Sequence, residues 1–190
     1  MVSLTVFLVV VGFLVLGLLI YMVIVYNGLI LLKVNTDKAW ANIDVLLKQR
    51  HDEVPNLVAV VQGIKNFEQK ILTDLTQARS AAMAASGVAA KAQADQSLTS
   101  SLNNLFAVAE NYPTLKAQGN FLQLQKRLSG LESEIADRRS FYNDSVADYN
   151  THITQFPDAL LAGLMGLVPR DLFQAAGEEK AEPQVDLSRP

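Results

Sequence analysis

The 190-residue chain predicts an all-α protein: one N-terminal transmembrane helix followed by an antiparallel four-helix bundle. Three observations carry that prediction. The chain starts with a long apolar stretch, and its first charged side chain is Lys33. Beyond it, apolar residues recur at steps of three and four, the narrow seam of helices packed nearly parallel or antiparallel. No segment sustains a period of two, the signature of a half-buried strand.

The anchor is assigned to residues 1–27. Between Val2 and Val25 the only hydroxyls are those of Ser3, Thr5 and Tyr21. As a helix this stretch reaches about 36 Å, enough to cross a hydrocarbon core of about 30 Å. Each Leu, Ile, Val or Phe favours insertion by about 0.3–0.6 kcal/mol. A cleaved signal peptide fits less well. The start, Met1-Val2-Ser3-Leu4, has no basic side chain, the apolar core is too long, and no small-x-small site precedes Tyr26-Asn27-Gly28. Tyr21 and Tyr26 suit the interface, where an aromatic body meets a wet hydroxyl. Lys33, Lys38, Lys48 and Arg50 follow the span and no Lys or Arg precedes it, which by the positive-inside tendency places the bundle in the cytoplasm. Gly12 and Gly17 miss the GxxxG spacing and read as lipid-facing.

The bundle is assigned to residues 28–157. Trp40, Ile43, Leu47, Val54, Leu57, Val61 and Ile64 form the first seam, and Phe67, Ile71, Leu75 and Ala78 continue it after a small phase shift. Pro55 lies inside that seam, removes a backbone donor and costs about 3 kcal/mol in a helix interior. Unbroken phase across Pro55 argues for a kink. Length argues for a break near His51–Pro55, with Asp52 capping a new helix, because one helix from Asn35 to Ala85 would extend about 75 Å. Two helices are the expectation. Ser86-Gly87, within the Ala-rich stretch Ala81–Ala94, marks the next turn. A third helix runs from about Ala92 to Glu110 and ends before Asn111-Tyr112-Pro113, since the residue preceding proline avoids the helical region. The fourth carries Phe121, Leu124, Leu128, Leu131, Ile135, Arg138, Tyr142, Val146, Tyr149, Ile153 and Phe156, and stops at Pro157. Gly130 within it implies a neighbouring helix at close approach.

Residues 158–173 read as a short apolar helix built on Leu160, Leu161, Leu164, Met165, Leu167 and Val168. Such a piece either docks on a membrane or partner or closes the open end of the bundle as a lid. The lid is the expectation, because no cluster of Lys or Arg lies beside it. Residues 174–190 are polar and acidic-leaning, with too little apolar surface to offset chain entropy, and read as a disordered tail.

Composition excludes much chemistry. A net charge of -3 leaves no surplus of cations for phosphates, so no nucleic acid is expected as a partner. No cysteine is present, which removes disulfides, thiol catalysis and cysteine-ligated metals. A di-iron bundle needs Glu-x-x-His pairs, but the two histidines, His51 and His152, are preceded at that spacing by Lys48 and Tyr149. Both read as exposed. Nucleophile-elbow and phosphate-loop motifs are missing. Glu132 and Glu134 point in different directions on a helix and, with Asp137, read as solvated acids. No catalytic, cofactor-binding or metal residue is assigned.

The polar residues of interest lie on or near the seams. Arg138 occupies an apolar-phase position. It either sets register with Asp44 or Glu110 from another helix or rests its stem on an apolar edge. Asn143 and Asn150 recur in Tyr-Asn pairs seven apart and read as structural amides. Trp40, Tyr112, Tyr142 and Tyr149 read as core rather than as a stacking platform.

The chain resembles the LemA family of bacterial membrane proteins. The resemblance rests on Tyr26-Asn27-Gly28-Leu29, on the stretch Ala39-Trp40-Ala41-Asn42-Ile43-Asp44 continuing to Lys48, and on Val54-Pro55-Asn56-Leu57-Val58. It continues through Ala109-Glu110-Asn111-Tyr112-Pro113-Thr114-Leu115-Lys116-Ala117, Asn120-Phe121-Leu122-Gln123-Leu124-Gln125, Tyr142-Asn143-Asp144, Tyr149-Asn150-Thr151 and Phe156-Pro157. The last twenty residues add nothing to it. It implies a single span in the bacterial inner membrane and an antiparallel four-helix bundle, with no established enzymatic activity. A related group takes part in forming magnetosome membranes. The leading expectation is a membrane-tethered, non-catalytic scaffold that self-assembles through its coiled-coil-like seams and organises membrane or envelope components. Its alternative is an adaptor for a membrane protease or signalling protein, contacting it through Asn111–Ala117 and the acidic tail. An enzyme finds no supporting motif.

Overall fold

A computed structural model describes residues 2–65 and 67–174. It is all-α: α1 (Val2–Gln62), α2 (Gln69–Ala84), α3 (Val88–Ala109), α4 (Pro113–Lys116), α5 (Gly119–Thr154) and α6 (Asp158–Leu164). There is no strand among the described residues. The chain divides into two compact units, Met1–Trp40 with Phe141–Arg170, and Ala41–Ser140 with Asp171–Pro190.

In the first unit the leading part of α1 is long and apolar enough to cross a membrane, and none of its most apolar stretch is buried in protein. Large apolar side chains are exposed all round it, including Phe13 at 72% and Leu14 at 69%. Burial starts at Leu29, which forms a core with Tyr149, Ile153 and Ala162, flanked by Val25, Leu32, Leu161, Met165 and Leu167. The Thr36 hydroxyl donates to the carbonyls of Leu32 and Ser145, and the rings of Trp40 and Tyr142 lie 5.5 Å apart. These pairings run α1 and α5 in opposite directions. Trp40 is half-buried beside fully buried Ala39, so the seam on α1 runs through Thr36 and Ala39 rather than through Trp40.

In the second unit α1 buries Ile43, Leu47, Arg50, Val54, Leu57 and Val61, an alternation of fours and threes. Its main core adds Leu72 and Leu75 of α2, Leu98 and Leu105 of α3, Leu115 of α4, and Phe121 and Leu128 of α5. Pro113 opens α4, where a missing N–H is harmless. Gly87, at φ 85°, makes the turn between α2 and α3, a backbone region that favours glycine.

The expected break near His51–Pro55 does not occur. α1 runs through Pro55 to Gln62, and the chain leaves the helix at Gly63 instead. The structure shows why the proline is tolerated. Pro55 has no N–H to offer the carbonyl of His51, one turn back. That carbonyl accepts a hydrogen bond of 2.8 Å from Nε of Arg79 on α2. The phase shift after Ile64 marks the actual turn.

Three further expectations are corrected. Gly130 is exposed, and a Cβ there would meet nothing within 4 Å, so no neighbouring helix requires it. Phe156 is 79% exposed, because α5 ends at Thr154 before the seam reaches it. The helix expected over 158–173 is shorter, covering Asp158–Leu164, and Phe173 is buried in the second unit. Of the tail read as disordered, residues 175–190 lie outside the described residues.

Candidate functional site

The most polar interior lies in the second unit, around Arg50 and Asp95. Arg50 is 1% exposed on α1 and forms an ion pair with Asp95 of α3. Its Nη1 donates to Thr99 Oγ1 at 2.9 Å, and its Nη2 donates to the Asp95 carbonyl at 3.2 Å. Nε is buried and has no hydrogen-bond partner. A cleft of about 310 Å³ opens beside this group, lined by Asp95, Thr99, Glu132, Arg139 and Phe173. Burial lowers the Arg50 pKa to about 10, opposed by the charge of Glu132, and the guanidinium stays cationic at neutral pH.

His51, the next residue, borders a second cleft of about 240 Å³ with Asp44, Lys48, Asp52 and Lys91. It is half-buried rather than exposed, and its Nε2 has no hydrogen-bond partner. Burial first, then the nearby Arg50 and Arg79 cations, lowers its pKa below 6.5, so the ring is neutral at pH 7. Lys91 pairs with Asp44, and Arg127 reaches Glu53 at 2.8 Å. Among the described residues no three His, Asp or Glu side chains stand close enough to hold a metal ion. Cations and carboxylates are interleaved, so the belt can fix α1 against α3 through a desolvated ion pair.

The seam cation that pairs with a carboxylate on another helix is therefore Arg50, not Arg138. Arg138 is exposed, and the carboxylate expected for it on Asp44 pairs with Lys91. Glu110 is exposed too, as are Glu134 and Asp137, while Glu132 is half-buried beside the cleft. The missed signal was the seven-residue step from Leu47 to Val54, whose intermediate seam position is Arg50.

The first unit holds a second polar group. The Asn150 amide donates from Nδ2 to the Arg170 carbonyl at 2.9 Å and accepts from the Arg170 N–H at 2.8 Å. It thus clamps the chain that follows α6. The Tyr149 hydroxyl donates to the Val168 carbonyl at 3.2 Å, and the Arg170 guanidinium lies 5.3 Å from the Tyr149 ring centre. Asp37 accepts from the Arg170 guanidinium at 2.5 Å, and this hydrogen bond is the main reason the Arg170 pKa is raised. His152 is half-buried and sits 2.9 Å from Asp158. Tyr142 is buried, and the rings of Tyr112 and Phe67 pack at a tilt with their centres 5.0 Å apart. Asn143 is half-buried on α5.

An all-α chain with a membrane-compatible leading helix and a buried ion pair between helices is the class these features define. Residues 39–187 match the LemA family, and the chain belongs to that family. The match extends well into the last twenty residues, which had been expected to contribute nothing. The chain is 32% identical to protein LemA of Metamycoplasma hominis, over 74% of this chain. It is 25% identical to magnetosome protein MamQ 2 of Paramagnetospirillum magneticum and 24% identical to magnetosome protein MamQ of Magnetospirillum gryphiswaldense, each over 78% of this chain. The chain spans 64% of the length of each of these relatives.

Proposed function

We propose that this protein is a membrane-tethered, non-catalytic helical scaffold. The span fixes it in the bacterial inner membrane, the helical part lies on the cytoplasmic side, and copies associate to organise membrane components. One observation carries the reading: the leading part of α1 exposes apolar side chains on every face, and the same helix continues without a loop into the Leu29 core. Such a surface needs lipid around it. Lys33 and Lys38, just past the span, support the cytoplasmic placement. The similarity to magnetosome proteins supports a role in organising a membrane-bounded compartment.

Self-association is tested on the full chain in bilayer nanodiscs and in detergent by light scattering. The scaffold reading expects a defined oligomer at micromolar concentration, and a strict monomer contradicts it. Crosslinking in cells separates scaffold from adaptor. Products containing only this chain support the scaffold, and one dominant heterologous product replaces it with the adaptor.

A further inference from the structure

We infer that the segment from Phe156 to Val168 is a lipid-docking foot, inserted at the membrane interface beside the exit of α1. The inference rests on the reading that α1 crosses the bilayer, and adds a second membrane contact to it. Phe156, Leu160, Leu164 and Val168 are 79%, 67%, 85% and 68% exposed. Leu160 and Leu164 stand one turn apart and share an edge of α6. The opposite side of the segment is anchored, because Leu161, Ala162, Met165 and Leu167 pack with Val25 and Leu29 of α1.

That packing fixes the level of the foot. The charge-free part of α1, Val2 to Leu32, extends about 46 Å at helical rise, whereas the hydrocarbon core is about 30 Å thick and the bilayer with headgroups about 40–45 Å. Val25 closes the apolar run, and Leu29 lies one turn beyond it, at the height of the headgroup boundary. A segment packed there leaves four large apolar side chains exposed next to the end of the apolar span. Water is a poor occupant for such a patch, and lipid is already adjacent. The lid expected from the sequence is thus half the description: one side covers the Leu29 core and the other is left uncovered.

Charge supports lipid and specifies how it is held. Between Phe156 and Pro169 the one ionisable side chain is Asp158, which is paired with His152 and 15% exposed. No Lys or Arg is present there to attract anionic headgroups. The foot holds by apolar insertion and is indifferent to lipid charge.

The absence of cysteine allows a single nitroxide label at each chosen position. Leu160→Cys, Leu164→Cys and Val168→Cys report on the foot, Phe13→Cys on the span, and Asn103→Cys on an exposed position of α3. Each full-length variant goes into phosphatidylcholine nanodiscs, and its collision with oxygen is compared with that of a water-soluble nickel chelate. The expected result is an oxygen-to-nickel ratio several-fold higher at 160 and 164 than at 103, lower than at 13, and unchanged when phosphatidylglycerol is added. Foot labels as wet as 103, with 13 still in lipid, overturn the foot and leave the span standing. A wet label at 13 removes the span reading and the foot with it. Foot labels immobilised and shielded from both reagents identify a protein occupant and likewise overturn lipid docking.

Discussion

Two stretches of α1 share one backbone geometry and differ in everything else. From Leu4 to Ile24 large apolar side chains point outward in all directions and none is buried. From Ile43 to Val61 buried positions alternate by fours and threes, with polar residues between them. A helix apolar all round has no preferred face and is stable only where its whole surroundings are apolar. A helix apolar on one stripe selects protein neighbours. Charge follows the same division: the first stretch carries none, and in the second the charged side chains are exposed or partly exposed except Arg50, which is buried against the Asp95 carboxylate.

The largest effect expected in the second stretch comes from removing that carboxylate. Asp95→Ala leaves a buried guanidinium without its counter-ion and should destabilise the fold by about 3–5 kcal/mol, read as a large drop in the melting temperature of the full chain in detergent by circular dichroism. Arg138→Ala in the same assay should change stability by less than about 0.5 kcal/mol, because the side chain is exposed. Equal losses from the two substitutions would erase the distinction between the seam positions.

Arg79→Ala should cost about 1–3 kcal/mol by stranding the His51 carbonyl. The comparison sharpens in a double cycle. Pro55→Ala restores an N–H to that carbonyl, so Arg79→Ala should cost distinctly less in that background. Purely additive losses would show that Arg79 stabilises the helix by some other contact.

Gly130→Ala should stabilise by up to about 1 kcal/mol, since the position is helical, exposed and has free space around it. A loss of stability would mean that a neighbour occupies that space after all.

The smallest effect is a pH dependence. The folded-state pKa of His51 lies below its unfolded value of 6.5, so the unfolded chain binds more protons just below that pH. The His51 contribution is complete above pH 6.5 and is lost as pH falls through the window beneath it. His51→Gln should flatten the decline in melting temperature as pH falls below about 6.5. An unchanged slope would remove His51 as its source.

These contrasts also explain how far the sequence could be read. Apolar residues at threes and fours are a local property, so the helical class, most of the seam on α5 and the exposed apolar lead of α1 were legible. Trp40 misled by one position because a large aromatic at a seam edge outweighs the small Ala39 actually buried. Pro55 misled because the compensation for its missing N–H comes from Arg79, 24 positions away on another helix. Arg50 and Arg138 occupy equivalent seam phases, and spacing alone does not reveal which faces a carboxylate. That depends on the neighbouring helix, where Asp95 meets Arg50 while Asp44 is taken by Lys91. The clamp of Asn150 on Arg170 joins a helix to an irregular strap, and no periodicity encodes it.

The central claim is that the leading stretch of α1 lives in lipid. Flotation of the full-length chain with cell membranes after alkaline extraction tests it most directly. The account predicts that the chain rises with the lipid and that Leu14→Arg, which places a cation at the middle of the span at a cost of about 3 kcal/mol, weakens that retention. Quantitative recovery of the intact, folded chain in the extracted aqueous fraction would contradict it.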